Sequence, residues 1–157
     1  MSKHPSGLPI WYSPSKGTYS HYRVNDDDVN FDSLFEFETF RALENLLKGS
    51  CYRIVRQAPI LLRQETKHYP SRNWKCDFSL IDLAGDQLNP NGLDGRLIEV
   101  KGIVTREFRL EMEMLSRDNP WAFNRLWLIV TRKKTRLPVQ QFTLAELKQV
   151  IAQELKK

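Results

Sequence analysis

Asp77, Glu99 and Lys101 are the residues whose types and spacing could do chemistry. Glu99 and Lys101 stand two apart in Arg96-Leu97-Ile98-Glu99-Val100-Lys101-Gly102, a run that reads as a strand. Residues i and i+2 of a strand share a face. Glu99 and Lys101 therefore project together, while Ile98 and Val100 turn the other way into a core. A charged pair in an otherwise apolar strand costs stability unless it is paired or used. Asp77 lies in a second strand-like run. Two converging carboxylates can hold a hard divalent cation through oxygen, and a lysine beside them can place or activate a water. Such parts suit metal-assisted hydrolysis of a phosphodiester.

The elements that must position these groups can be read from the chain on either side. Trp74 to Leu83 alternates, which predicts a strand with Trp74, Cys76, Phe78 and Leu80 on one face and Lys75, Asp77 and Ser79 on the other. Arg96 to Val104 predicts the next strand. Gly85, Asn89-Pro90, Asn91-Gly92 and Gly95 lie between them and predict a turn-rich hairpin connection. Tyr52 to Gln64 is also strand-like, with Arg56-Gln57-Ala58-Pro59 interrupting it as a bend or bulge.

Helix signals flank these strands. Asn30 or Asp32 can cap a helix that runs to Lys48 and stops at Gly49. Projected at about 100° per residue, that helix puts Glu36 among Phe40, Leu43 and Leu47, with Glu38 on its polar side. A carboxylate in an apolar stripe must be ligated or paired. Glu36 is thus either a third acid for the site or the partner of an Arg or Lys at the core edge. Thr105 can cap a second helix through Arg117, with Phe108, Met112 and Leu115 inward and Asp118-Asn119-Pro120 as its end. Leu126 to Thr131 is a continuous apolar run, as in a buried, parallel strand. Thr143-Leu144-Ala145-Glu146 is a capping box for a last helix through Leu155. The expected order is α-β-β-β-α-β-α, an α/β fold.

At 157 residues the length suits one domain over residues 31–157, preceded by an arm over 1–30. In the arm, Trp11, Tyr12, Tyr19, His21 and Tyr22 are interleaved with Lys16 and Arg23. It either packs loosely on the domain or contacts nucleic acid by stacking and charge. The net charge of +5 permits a polyanionic partner without demanding one. Cys51 and Cys76 lack metal-ligand spacing and read as free thiols in a reducing compartment, the cytoplasm. His4, His21 and His68 are scattered, so zinc is not expected. No apolar stretch is long enough to span a membrane.

Three segments, in order, resemble the PD-(D/E)XK nuclease superfamily: Ser33-Leu34-Phe35-Glu36 opening a helix, Trp74-Lys75-Cys76-Asp77-Phe78, and Glu99-Val100-Lys101-Gly102. The resemblance covers roughly Phe31 to Lys134, and Cys76 stands where the name motif has proline. It implies a restriction-endonuclease-like core with a mixed central sheet flanked by helices. Glu36, Asp77, Glu99 and Lys101 would be the catalytic set. Asp77, Glu99, the Val100 carbonyl and Glu36 would hold Mg²⁺ or Mn²⁺, and Lys101 would orient water or stabilise the phosphate. The implied substrate is DNA. Arg106, Arg109, Lys133, Lys134 and Arg136 would contact its backbone unless they are only a solvated face. Gln57, in a Gln-x-Pro sequence also seen in some members, would serve site geometry or bind backbone as a buried amide.

Two groups of the superfamily are similar in layout. One is the TnsA-type endonuclease, which cuts one strand at transposon ends beside a transposase. The other is the phage junction-resolving endonuclease, a short homodimer. The chain shows no long carboxy-terminal partner-binding region like that of full-length TnsA, so both readings stay open. A non-catalytic DNA-binding module of the same fold is the remaining alternative.

Overall fold

A computed structural model describes residues 10–12, 23–26, 29–31, 33–83, 92–133 and 135–157. Near the N-terminus, β1 (Ile10–Tyr12), β2 (Arg23–Asp26) and β3 (Val29–Phe31) form a three-stranded antiparallel sheet in that order. Phe31 carries this sheet onto the main domain through ring contacts with Phe37 and Phe40. Tyr19, His21, Tyr22 and Lys16 of the expected arm lie outside the described residues.

The main domain is mixed α/β. Its elements are α1 (Leu34–Leu47), β4 (Tyr52–Arg63), β5 (Arg72–Asp82), β6 (Leu97–Lys101), α2 (Arg106–Asp118), α3 (Pro120–Arg125), β7 (Leu126–Val130), β8 (Gln140–Phe142) and α4 (Leu144–Leu155). Strands β4 to β8 make one five-stranded mixed sheet in sequence order. The β4–β5 and β5–β6 pairs are antiparallel, and the β6–β7 and β7–β8 pairs are parallel.

Alternation along β6 and β7 builds two cores. Ile98, Val100, Trp127 and Ile129 face α1 and α4, against Phe35, Leu43, Leu147 and Ile151. Leu97, Leu126, Leu128 and Val130 face α2 and α3, against Phe108, Met112, Leu115 and Ala122. A strand run such as Leu126–Val130 is apolar throughout because both its faces are covered.

Several boundaries differ from expectation, each for a local reason. Ser33 caps α1 where Asn30 or Asp32 was expected: its hydroxyl accepts from the Glu36 N–H at 3.1 Å, Asn30 lies in β3 opposite Asn25 of β2, and Asp32 lies outside the described residues. Asn119-Pro120 ends α2 and also starts α3. Asn119 donates its own N–H to Leu115 O and caps Ala122 N, while Pro120 takes the first turn, where a missing N–H costs nothing. Strands β1, β2, β3 and β8 are further elements that the expected order lacks. Gly49, at φ +79, stands just past α1 as a C-terminal stop should. Thr105 and the Thr143/Glu146 box cap α2 and α4 as the sequence predicts.

The hairpin of β4 and β5 departs most from simple alternation. Trp74 and Cys76 belong to the α2 core, whereas Phe78 and Leu80 belong to the α1 core. Across from them, Ile60 and Leu62 pack on the α2 side, and Tyr52 and Ile54 on the α1 side. The expected single face of Trp74, Cys76, Phe78 and Leu80 is therefore split. The cause lies in the partner strand. Arg56 pairs with Phe78 and Ala58 with Cys76, so Gln57 falls opposite Asp77, and Gln57 has φ +54. The register is equal on both sides, so this is a left-handed pivot with no inserted residue. The one register shift in the pair lies further out, between Leu61 and Arg63. Pro59 is tolerated because β4 is an edge strand.

A left-handed residue other than glycine costs about 1–3 kcal/mol. Gln57→Gly should therefore leave the melting temperature near wild type, relieved strain offsetting added chain entropy. Gln57→Val should lower it clearly, because a β-branched side chain resists this conformation. Equal melting of the two variants would show that the pivot is not under strain.

Candidate active site

The site forms where β5 and β6 part. Their ladder is short, with Phe78 opposite Ile98 and Ser79 opposite Leu97. Past Phe78, side chains take over as acceptors. The Asp77 N–H donates to Glu99 Oε1 at 3.1 Å, and the Val100 N–H donates to Asp77 Oδ2 at 2.8 Å. The buried Cys76 thiol donates to Ile98 O and Phe78 O. The half-turn at the pivot thus aims Asp77 across the gap toward Glu99.

Glu99 is 2% exposed. Its Oε2 accepts from the Trp74 indole N–H at 3.2 Å and lies 3.9 Å from Lys101 Nζ. Burial, and then the neighbouring Asp77 carboxyl with its hydrogen bond, pushes Glu99 well above the usual carboxylate range; Lys101 opposes this. Burial also raises the Cys76 thiol, helped by Glu99 and Asp77. Lys101 is anchored on its other side, with Nζ 4.8 Å from the centroid of the Phe108 ring of α2. The expected projection of Glu99 and Lys101 to one face is what the structure has.

The remaining expected residues divide. Val100 enters the site through its N–H. Glu36 is 3% exposed, and its Oε1 accepts from Arg56 Nη2 at 3.4 Å. The guanidinium carbon of Arg56 sits 3.9 Å from the centroid of the Phe31 ring. The ion-pair reading of this buried carboxylate has its partner in Arg56. Among the described residues, no three His, Cys, Asp or Glu side chains form a group that could hold a metal ion. Asp77 and Glu99 meet as a pair, and Glu36 stands with Arg56. Gln57 lies opposite Asp77, as a backbone pivot.

Of the basic residues, Arg106, Arg109 and Arg136 are exposed. Lys133 is exposed as well and pairs on the surface, with Nζ 2.6 Å from Glu146 Oε2. Lys134 lies outside the described residues. Lys101 and Arg109 line one open depression of about 290 Å³ at the carboxyl ends of β6 and β7, together with Arg132. A larger depression of about 510 Å³ lies between α1 and the start of β4 and contains none of these residues.

Sequence reasoning missed Trp74 as the donor to Glu99, and Arg132. The indole N–H had a signal, since a buried tryptophan needs an acceptor. Arg132 had none, because its place depends on how the chain leaves β7.

The donor set is compatible with a hard cation. It is oxygen-only, from two carboxylates close enough to share a hydrogen bond, and their mutual repulsion is what a cation would relieve. Among the described residues no helix is long and apolar enough to cross a membrane. Comparison with family models, with curated proteins and with solved structures finds no match in any of the three.

Proposed function

We propose that the chain is a Mg²⁺- or Mn²⁺-dependent DNA endonuclease with a restriction-endonuclease-like core. One observation carries the reading: at the splayed end of β5 and β6 the Asp77 and Glu99 carboxyls each accept a backbone N–H from the other's strand, with Lys101 on the flank of Glu99. Asp77 and Glu99 would hold the ion. Bound there, it would supply charge relief for the phosphate and lower the pKa of a water. Asp77 is oriented by the Val100 N–H, and Glu99 by the Trp74 indole and the Asp77 N–H. Lys101, braced on Phe108, is the cation that would meet a phosphate oxygen or the attacking water. Arg106, Arg109 and Arg136 would hold the DNA backbone.

The second reading is a DNA-binding module of the same fold without catalysis. The internal hydrogen bonds of Glu99 and the Glu36–Arg56 pair favour it, because both let these acids serve structure alone. Incubation with supercoiled plasmid, linear duplex, single strand and four-way junction separates the two. Cleavage is expected with Mg²⁺ or Mn²⁺ and none in excess EDTA, and undiminished cutting in EDTA would remove the proposed mechanism. The same assay sorts the biological readings. Preference for the junction points to a homodimeric resolving enzyme. Nicking of duplex only beside a transposase points to a TnsA-type role. Binding without metal should weaken steeply between low and physiological salt as counterions are released. A flat salt response would reduce the arginines to a solvated face.

A further inference from the structure

We infer that the depression at the ends of β6 and β7 takes a single unpaired nucleotide next to the phosphate that is cut. The inference rests on the nuclease reading and adds a substrate preference to it. Three cations, Lys101, Arg109 and Arg132, line the depression, and none of the described residues lining it is acidic. Charge of one sign around a concavity favours a phosphate. The rest of the lining is not that of a bare phosphate site. Ile103, 62% exposed, and Val130 give it an apolar side, and Thr135 completes the lining. A ligand that is both anionic and in part apolar matches that lining. A nucleotide has this make-up.

Size narrows the choice. About 290 Å³ is near the lower end of the ~300–1,000 Å³ of small-molecule pockets, and much too small for duplex. Duplex would set only its backbone phosphates against so small a depression, so covering its apolar side as well requires a nucleotide that has left the stack. Lys101 is shared between the depression and the carboxylate pair, which puts that nucleotide beside the scissile phosphate. Ile103 is an exposed apolar residue of the lining, the kind of side chain that props apart a base step.

The experiment measures binding of the full chain, without divalent metal, to intact duplex, to the same duplex with one unpaired nucleotide, and to single strand. The duplex with the unpaired nucleotide should bind about tenfold tighter than intact duplex, a difference within reach of one charged hydrogen bond. Arg132→Ala should erase that preference while changing intact-duplex affinity less than about threefold, as loss of one phosphate contact would. With 2-aminopurine at the unpaired position, emission should change on binding to the wild-type chain, and the change should shrink in Ile103→Ala. Equal affinity for the two duplexes, or a preference that survives Arg132→Ala, overturns the inference. Metal-dependent nicking on the same preparation separates the two readings. Nicking without the preference removes only the nucleotide pocket, whereas the preference without nicking keeps the pocket and removes the nuclease reading together with the placement beside a cut phosphate.

Discussion

Asp77→Asn is expected to leave a folded protein that no longer cuts. The asparagine amide oxygen can still accept from the Val100 N–H now bonded to Asp77 Oδ2 at 2.8 Å, so the gap between β5 and β6 stays closed. Removing the negative charge also relieves Glu99, which the Asp77 carboxyl pushes upward. Melting should therefore be unchanged or higher. Cleavage should fall by more than about a hundredfold, the scale on which loss of one preorganised charge-stabilising group acts. Asp77→Ala is the contrasting variant. It relieves the same repulsion but strands the Val100 N–H, at about 1–3 kcal/mol for a buried unmade bond. The order expected in melting is Asn at or above wild type, with Ala below Asn. If Asp77→Asn keeps wild-type nicking per folded molecule, Asp77 serves only to staple two strands and the nuclease reading fails.

Glu99→Gln should change how stability responds to pH. The folded protein holds the Glu99 proton more tightly than the unfolded chain does, because burial and Asp77 raise its pKa. The stability this contributes is fully present below the unfolded value near 4.3 and is lost as pH rises through the folded value. In that window the wild-type chain loses up to about 1.4 kcal/mol per pH unit from this group. Glu99→Gln removes the loss, so the stability of the variant relative to wild type should rise with pH from about 4 upward. Its absolute stability is a poorer guide. Glutamine has one oxygen where Glu99 accepts on two, from the Asp77 N–H and the Trp74 indole. Denaturant unfolding across that pH range checks the slope, and parallel slopes for variant and wild type would mean that Glu99 is ionised in the metal-free fold.

Much of this arrangement was legible in the sequence, because local rules wrote it. Thr105 and the Thr143/Glu146 box announce their helices through hydrogen bonds made within a single turn. Glu99 and Lys101 share a face because a strand has a period of two. Glu36 looked anomalous among apolar neighbours and is buried, but the sequence could not choose between a cation and Arg56 as its partner. That choice depends on which edge residue of β4 passes over α1. The split of Trp74 and Cys76 from Phe78 and Leu80 was not readable either. It comes from the backbone of Gln57, on another strand, and glutamine is not a residue whose type signals positive φ. Three-residue β8 has too few positions to show a period. Lys133 read as exposed charge, and only the return of the chain to α4 gives it Glu146.

The half-turn at Gln57 and Asp77 has a consequence for how this molecule can change. The inner part of the hairpin belongs to one core and the outer part to the other, and the two cores lie on opposite faces of the sheet. Substitutions in Ile54 and in Ile60 therefore disturb separate packing units, whose effects tend to add. The chain can drift in either unit without repair in the other. At the crossing point that independence ends, since both units and the carboxylate pair hang on the same two opposed residues. The position that turns the strand over also limits where the protein can vary.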